Sequence, residues 1–544
     1  MKKVIYFILV IMLIPVFGIF PGGQPQSQSQ SGGWQNSPTA SYVGPNRSYS
    51  GYPLPITEKP TELTTIAQYN AIRPDMDTTA VIDCFEQKTN IRLKVTQLFD
   101  TEQTSIIFAS RDFPDFMMVA GAGDTLVNTA IRDGDIIVLD DLLQRFSPTW
   151  WKFLNENKAV KTGNSVDGKV YFLPFIYWAP SDRNIRDQTF INQKWLNELG
   201  LNVPTNINEL TAVLTAFKNN AGKGSIPSEA APFYYLMSSD ANATFLELFA
   251  SFGIFVPMGT GWTIAENGIV KYQGINPEIK EPLKYLQELY RLGLTPPEVL
   301  TDDGNVFVRK RSAVPSVLGY YTSYALDTSD FIPIAPLNTP SGKQPFTRYQ
   351  PMTGGPDRAL AIFDNCKDPV AVVKLAEFIA VDVEASMNNS RGMKDILWRF
   401  RPDGKVEQIF WNESSDLIAQ NSKNLGFWNS FINFWPREFF ETTYYDVDDD
   451  TVNSRGWAYQ HIYRNYPTPA QYQLPLFMNI GEDQIRLNAL GSDINSERLR
   501  TISTWITTNA NIDAEWDAYV ARIMALGYNE WIALVQRSYD LMMQ

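Results

Sequence analysis

Hydrophobic and polar positions along this chain switch between a period near 3.6 and a period near 2, and each switch marks an element. Residues 190–217 (FINQKWLNELGLNVPTNINELTAVLTAF) show the helical period most clearly. A short amphipathic segment ends at Gly200, a residue that accepts the left-handed backbone of a helix end. After Pro204, Thr205 or Asn206 can cap a second helix. Glu209 stands three residues beyond Asn206, the spacing of a capping box. Ile207, Leu210, Leu214 and Phe217 then form one apolar stripe.

The same reading extends to both sides. Residues 62–69 and Ile91–Leu98 have strand character, and 78–88 between them read as a helix. Residues 105–110 form a short apolar element, and 116–120 a buried strand after the turn residues Pro114-Asp115. This β-α-β-α rhythm predicts a largely parallel sheet with helices on both faces. Asn276-Pro277 open a helix with Ile279, Leu283, Leu286 and Tyr290 on one face and Gly293 at its end. Asp368 caps another, with Pro369 at its first turn and Val372, Leu375, Ala376 and Ile379 as its stripe. Near the end of the chain, Trp516, Val520 and Ile523 form a stripe that stops at Gly527.

Composition narrows the class. With 544 residues, 44% of them apolar and 19% charged, the chain can bury more than one core. A formal net charge of −13 argues against a nucleic-acid partner, which needs clustered Lys and Arg. The single histidine, His461, excludes a multi-histidine metal site and speaks against His-dependent triads. Cys84 and Cys366 read as two buried thiols. The 14 Trp and 25 Tyr suit a protein with large aromatic surfaces, although most such rings belong in cores.

Met1-Lys2-Lys3 and the apolar residues 4–20 are the pattern of a secretory signal or an uncleaved anchor over 1–21. Residues 22–59, rich at first in Gly, Ser, Gln and Pro, are expected to be a flexible tether. The acidic run 446–450 offers oxygen ligands but lacks the glycine and distal glutamate of a calcium loop, so a solvated loop is the better reading. The basic run Arg309-Lys310-Arg311 reads as a solvated face.

Several stretches together resemble the family 1 extracellular solute-binding proteins that serve sugar ABC importers, in particular a subgroup with long chains. They are FEQKTNI, FPDFMMVAG, AIRDGDIIVLDDLLQRFSP, VDGKVYFLPFIYWAP, WLNELGLNVPTNINEL, LYRLGLTPPEVLTDD, PDRALAIFDNCKDPVAVVKLAEFIA and the closing EWDAYVARIMALGYNEWIALVQRSYDLMMQ. Their order and spacing cover most of the chain from residue 62 on. Two departures stand out. No cysteine precedes Cys84, so lipid attachment at the family's usual place has no acceptor. Lys394-Asp395 replaces an expected Glu-Gly pair, so no contact from that motif carries over.

The resemblance implies an α/β protein with a two-lobed periplasmic-binding-protein type II fold. Lobe one would hold 60–178 and 353–425, and lobe two 179–352 and 426–544. It implies hinge closure on a ligand held between the lobes. It implies no catalysis, cofactor or metal, a carbohydrate ligand such as an oligosaccharide, and a membrane permease as partner for a monomeric extracytoplasmic protein. The candidate ligand-binding residues are Asn70, Asp124, Trp178, Arg183, Tyr320, Tyr321 and Trp435. Two other classes stay open on sequence alone: an exported carbohydrate-active enzyme with paired carboxylates, and a surface glycan-capture protein without transport.

Overall fold

The structure is a computed structural model. It describes residues 54–69, 75–118, 122, 124–177, 187–237, 245–257, 262–323, 328–347, 358–409, 421–427, 430–436, 438–445, 452, 455–467 and 482–543. The signal segment, most of the tether and the acidic run 446–450 lie outside these residues.

Ten strands build two principal sheets: β1 (Thr61–Gln68), β2 (Ile91–Leu98), β3 (Phe116–Met117), β4 (Leu173–Tyr177), β5 (Gln188–Asn192), β6 (Ala231–Tyr234), β7 (Leu318–Ser323), β8 (Phe331–Pro333), β9 (Arg358–Ile362) and β10 (Asn433–Trp435). The helices that cover them include α1 (Ala80–Thr89), α2 (Thr101–Ser110), α3 (Asp124–Asp133), α4 (Asp140–Phe146), α5 (Pro148–Glu156), α6 (Gln193–Leu199), α7 (Ile207–Asn219), α8 (Lys280–Arg291), α9 (Gly304–Arg311), α10 (Pro369–Val381), α11 (Val383–Ser390), α12 (Arg455–His461), α13 (Glu482–Thr507), α14 (Ile512–Ala525) and α15 (Tyr528–Met543).

The first sheet has the order β10-β4-β9-β3-β1-β2. All of its strands run one way except β9, which is antiparallel to β3 and β4. Its core joins Leu63, Phe85, Leu93 and Phe116 to Leu143, Trp150, Phe378, Ile379, Phe431 and Phe434. The second sheet has the order β8-β5-β7-β6, with β6 and β7 parallel and β5 antiparallel to β7 and β8. Its core draws on Trp195, Leu214, Phe217, Leu283 and Tyr321 and, from the far end of the chain, Trp505, Trp516, Tyr519 and Trp531.

The capping signals read from sequence are present. Gly200 ends α6 at φ 63°, and the Asn206 side chain accepts from the amides of Asn208 and Glu209. Glu209 reaches back to the amide of Thr205, at 2.8 Å. Asp368 caps α10 through the Ala371 amide. Gly319 has an ordinary backbone but a crowded one: a Cβ there would lie 2.6 Å from the Pro232 carbonyl oxygen and 2.7 Å from the Phe217 ring. Glycine lets α7 press against β7.

Four expectations need correction. Residues 105–110 belong to the helix α2, capped by Asp100. The tether ends before residue 59: Ile56 packs on the first core, and Asn90 donates to the Thr57 carbonyl at 2.9 Å. Residues 427 and 430–435 sit with the first sheet, because β10 pairs with β4 and Phe427, Phe431, Ile432 and Phe434 join its core; the expected boundary placed everything from 426 on in the second lobe. Arg311 is not a solvated residue. It is 2% exposed and donates to the Ser323 hydroxyl, whereas Lys310 pairs with Asp302 at 2.7 Å. The two cysteines are free and half-buried.

One buried carboxylate ties the first core together. Glu377, on α10, is 0% exposed and accepts from the hydroxyls of Ser147 and Thr149 and from the Thr149 amide, at 2.7, 2.5 and 3.2 Å. It thus serves the open amides at the start of α5, whose own cap residue, Ser147, makes no side-chain bond to a helix amide. Burial pushes its pKa above the ordinary carboxylate value, against these donors. A raised folded-state pKa means stability is fully present below the unfolded value and declines as pH rises through the folded one. Glu377→Gln removes that titration. Relative to the parent, the variant should therefore gain stability in urea unfolding as pH rises from about 4, the ordinary carboxylate range, through the raised folded-state value. Parallel stability curves for the two proteins would contradict this.

Candidate functional site

In a parallel α/β sheet, ligands gather beyond the carboxyl ends of the strands, because helix starts and loop backbone point there. In the first sheet those ends are Tyr69, Phe99, Met118, Tyr177 and Trp435, next to the amino end of antiparallel β9. Of the positions the sequence picked, Trp435 closes β10 at this edge, and Asp124 opens α3, the helix that follows β3. Asn70, Trp178 and Arg183 lie outside the described residues. For Asp124 only the backbone position is described.

The best-defined part of this edge is the β1-β2 corner. The parallel register sets Gln68 beside Leu98, and the Tyr69 amide continues the ladder to the Leu98 carbonyl at 2.7 Å. Tyr69 and Phe99 are thus neighbours by register, and their rings stack with centroids 4.4 Å apart at 28°. The Phe99 amide donates to the Gln103 side chain at 2.7 Å, while Asp100 caps the Gln103 amide at 2.9 Å. These reciprocal bonds hold Phe99 at the start of α2. The chain that re-enters after residue 74 is pinned to the outer side of β2. Met76 donates to the Gln97 side chain at 2.9 Å, and Asp77 accepts from the Val95 amide at 2.7 Å.

Trp435 is at the predicted edge but faces inward. It is 0% exposed, Phe439 stacks on it at 4.9 Å, and the Arg391 guanidinium lies 4.8 Å from its ring centroid. Its indole N–H donates to the Ser386 hydroxyl at 2.9 Å. Tyr177, Phe440 and Tyr444 close the rest of the ring's surroundings. No face remains for a ligand, and the residue belongs to the first sheet rather than to the second lobe.

Tyr320 and Tyr321 are also interior. They lie on β7, which is paired along both edges and buried at every position on both faces. Tyr321 is 0% exposed among Phe190, Phe307 and Phe331; Tyr320 is 4% exposed against Phe233. Both are corrections to their reading as ligand-facing rings.

The second sheet's own carboxyl edge carries residues the sequence did not single out. Tyr463 is 3% exposed and bridges two strands there. Its hydroxyl accepts from the Thr189 amide at 3.1 Å and donates to the Ile334 carbonyl at 2.8 Å. It anchors α12, on which Trp457 and His461 stack at 4.6 Å and 19°, with His461 exposed. The helical spacing of Trp457 and His461 was the available signal for this pair. For Phe99 it was a large ring placed one step past the end of a strand alternation.

No protein-family model matches the chain. A fructooligosaccharide ABC transporter substrate-binding protein, FusA, of Streptococcus pneumoniae is 25% identical over 532 residues, covering 91% of this chain and 93% of that one. The FusA structure in complex with kestose has a TM-score of 0.73 at 22% identity, over 88% of this chain and 99% of FusA. An extracellular solute-binding protein from Bifidobacterium longum subsp. infantis gives 0.75 at 20% identity, over 89% and 99%. An HMO-binding, ABC-transporter-associated solute binding protein from Bifidobacterium longum infantis gives 0.74 at 20% identity, with the same coverage. Along nine-tenths of its length the chain is thus similar in sequence to one sugar-transporter binding protein, and it shares the fold of these solute-binding protein structures.

Proposed function

We propose that this protein captures an oligosaccharide outside the cytoplasm, between a lobe built on the first sheet and a lobe built on the second, and presents the closed form to an ABC permease. The observation that carries this reading is the aromatic carboxyl edge of the first sheet, in a chain related over 91% of its length to a fructooligosaccharide-binding protein. Aromatic faces suit sugars because the apolar C–H side of a sugar ring meets the electron-rich face of an arene. The work of such a site is binding without turnover. The first lobe holds the sheet that ends in Tyr69, Phe99 and Tyr177, and the second the sheet that Tyr463 borders. A ligand drives their closure only by contacting the closed form better than the open one.

Thermal unfolding and small-angle scattering with a glycan panel that includes kestose test this. At least one glycan should raise the melting temperature, since ligand at about a hundred times its Kd adds about 2.7 kcal/mol. The same glycan should lower the radius of gyration and be recovered intact by chromatography. Steady release of shortened products, or no response to any glycan, would overturn the proposal.

A further inference from the structure

We propose, building on carbohydrate capture at the same sheet edge, that the stacked pair Tyr69–Phe99 is an outer sugar subsite. It would take one ring of an oligosaccharide on the open face of Phe99. Three observations place it. Phe99 is 66% exposed although it is a large apolar ring, whereas Tyr69 behind it is half-buried. The pair is a fixed platform, because the register, the Tyr69 amide bond to Leu98 and the Gln103 bond to the Phe99 amide set both backbones. It also stands at the carboxyl end of the strands, where this fold receives ligands.

The place in the sheet says which sugar unit it takes. β2 is the edge strand, at the opposite end of the order from β4 and β10. A ligand centred on the middle strands would reach Phe99 only with a unit away from its centre. Short glycans should therefore be indifferent to this ring, and long ones should depend on it. Tyr69 gives the arene a second layer, so the Phe99 ring does not turn away when its outer face is occupied. An exposed ring left without a role would cost solubility, and its neighbours are polar: Asp100 and Gln97 flank the corner.

The test is calorimetric titration of the full protein with kestose and with longer fructooligosaccharides, and with maltodextrins and milk oligosaccharides of graded length. The parent protein is compared with Phe99→Ala, Phe99→Trp and Ile106→Ala. Ile106 is the exposed apolar control, at 59%. Phe99→Ala should weaken the longer glycans about ten- to a hundredfold, the range for losing one stacked ring. It should leave the shortest binding glycan nearly unchanged. Phe99→Trp should restore the loss, and Ile106→Ala should change nothing. Melting temperatures should match throughout, because little of the Phe99 ring is buried. If the parent binds a long glycan and Phe99→Ala binds it equally well, the subsite is refuted while carbohydrate capture stands. Equal weakening of short and long glycans refutes the outer position. If the parent binds no glycan, both readings fail.

Discussion

Trp435→Ala is expected to cost about 3–5 kcal/mol of stability, the range for truncating a large buried aromatic. Against a total stability of about 5–15 kcal/mol, that is a large fraction. The ring lies within a small core of its own, with Trp398, Val406, Phe439, Phe440 and Tyr444, where the C-terminal part of the first sheet meets α11. Its loss opens a cavity between Phe439 on one side and Arg391 on another, and it strands the Ser386 hydroxyl. The guanidinium of Arg391 is itself 4% exposed and would face a void. Trp435→Phe keeps an aromatic in the stack and removes the indole donor, so it should cost about 1–3 kcal/mol, the price of a buried acceptor left unmade. Urea unfolding measures both. A stable Trp435→Ala protein with weakened glycan binding would return this ring to the cleft and show that the closed aromatic cluster is not its working environment.

The difference between Trp435 and Phe99 shows what the sequence could carry. Helix ends were legible because their chemistry is local. Gly200 takes its positive φ, and Asn206 and Asp368 cap with their own side chains, within three residues of the groups they serve. Strand order was legible only as a class, since β-α-β rhythm implies parallel pairing but not which strand sits at the edge. The placement of β10 could not be read, because pairing with β4 joins residues more than two hundred and fifty positions apart. Nor could the burial of Tyr321. An aromatic at the end of a glycine-led strand looks the same whether the next layer is solvent or Phe307 and Phe331. Resemblance transferred ring positions one by one, and burial differs at each. Phe99 was missed for the converse reason. It stands one residue beyond the strand read as Ile91–Leu98, on the same phase as Ile91, Leu93 and Val95, and nothing in that pattern tells a ring that turns to solvent from one more core position.

Removing the last two helices, residues 512–544, is expected to abolish the fold of the second core. The closing segment is a large part of that core rather than an appendage. Ile512, Trp516, Tyr519, Ile523, Trp531 and Val535 are all buried in it. Complete burial of one such side chain is worth about 1.5–3 kcal/mol, so six of them match or exceed the stability of an ordinary domain. Their contacts are also specific. The Tyr519 hydroxyl donates to the Gly274 carbonyl at 2.8 Å, and Trp505 donates to Glu515 at 2.8 Å and stacks on Trp516 at 5.9 Å. Trp531 meets Tyr272 edge-on at 5.2 Å and sits against Gly491, where a Cβ would lie 3.0 Å from its indole nitrogen. Without α14 and α15, the apolar side of α13 and the antiparallel hairpin of Thr263–Glu266 with Ile269–Tyr272 would face water. The first core draws none of its residues from this segment. The truncated chain should therefore keep one cooperative calorimetric transition and lose another, and proteolysis should clear residues 187–337 while sparing the first sheet. Glycan binding should vanish, because one wall of the proposed cleft is gone. A truncated protein that retains both transitions, or that still closes on a glycan by scattering, would show that the second sheet holds its core without the closing helices.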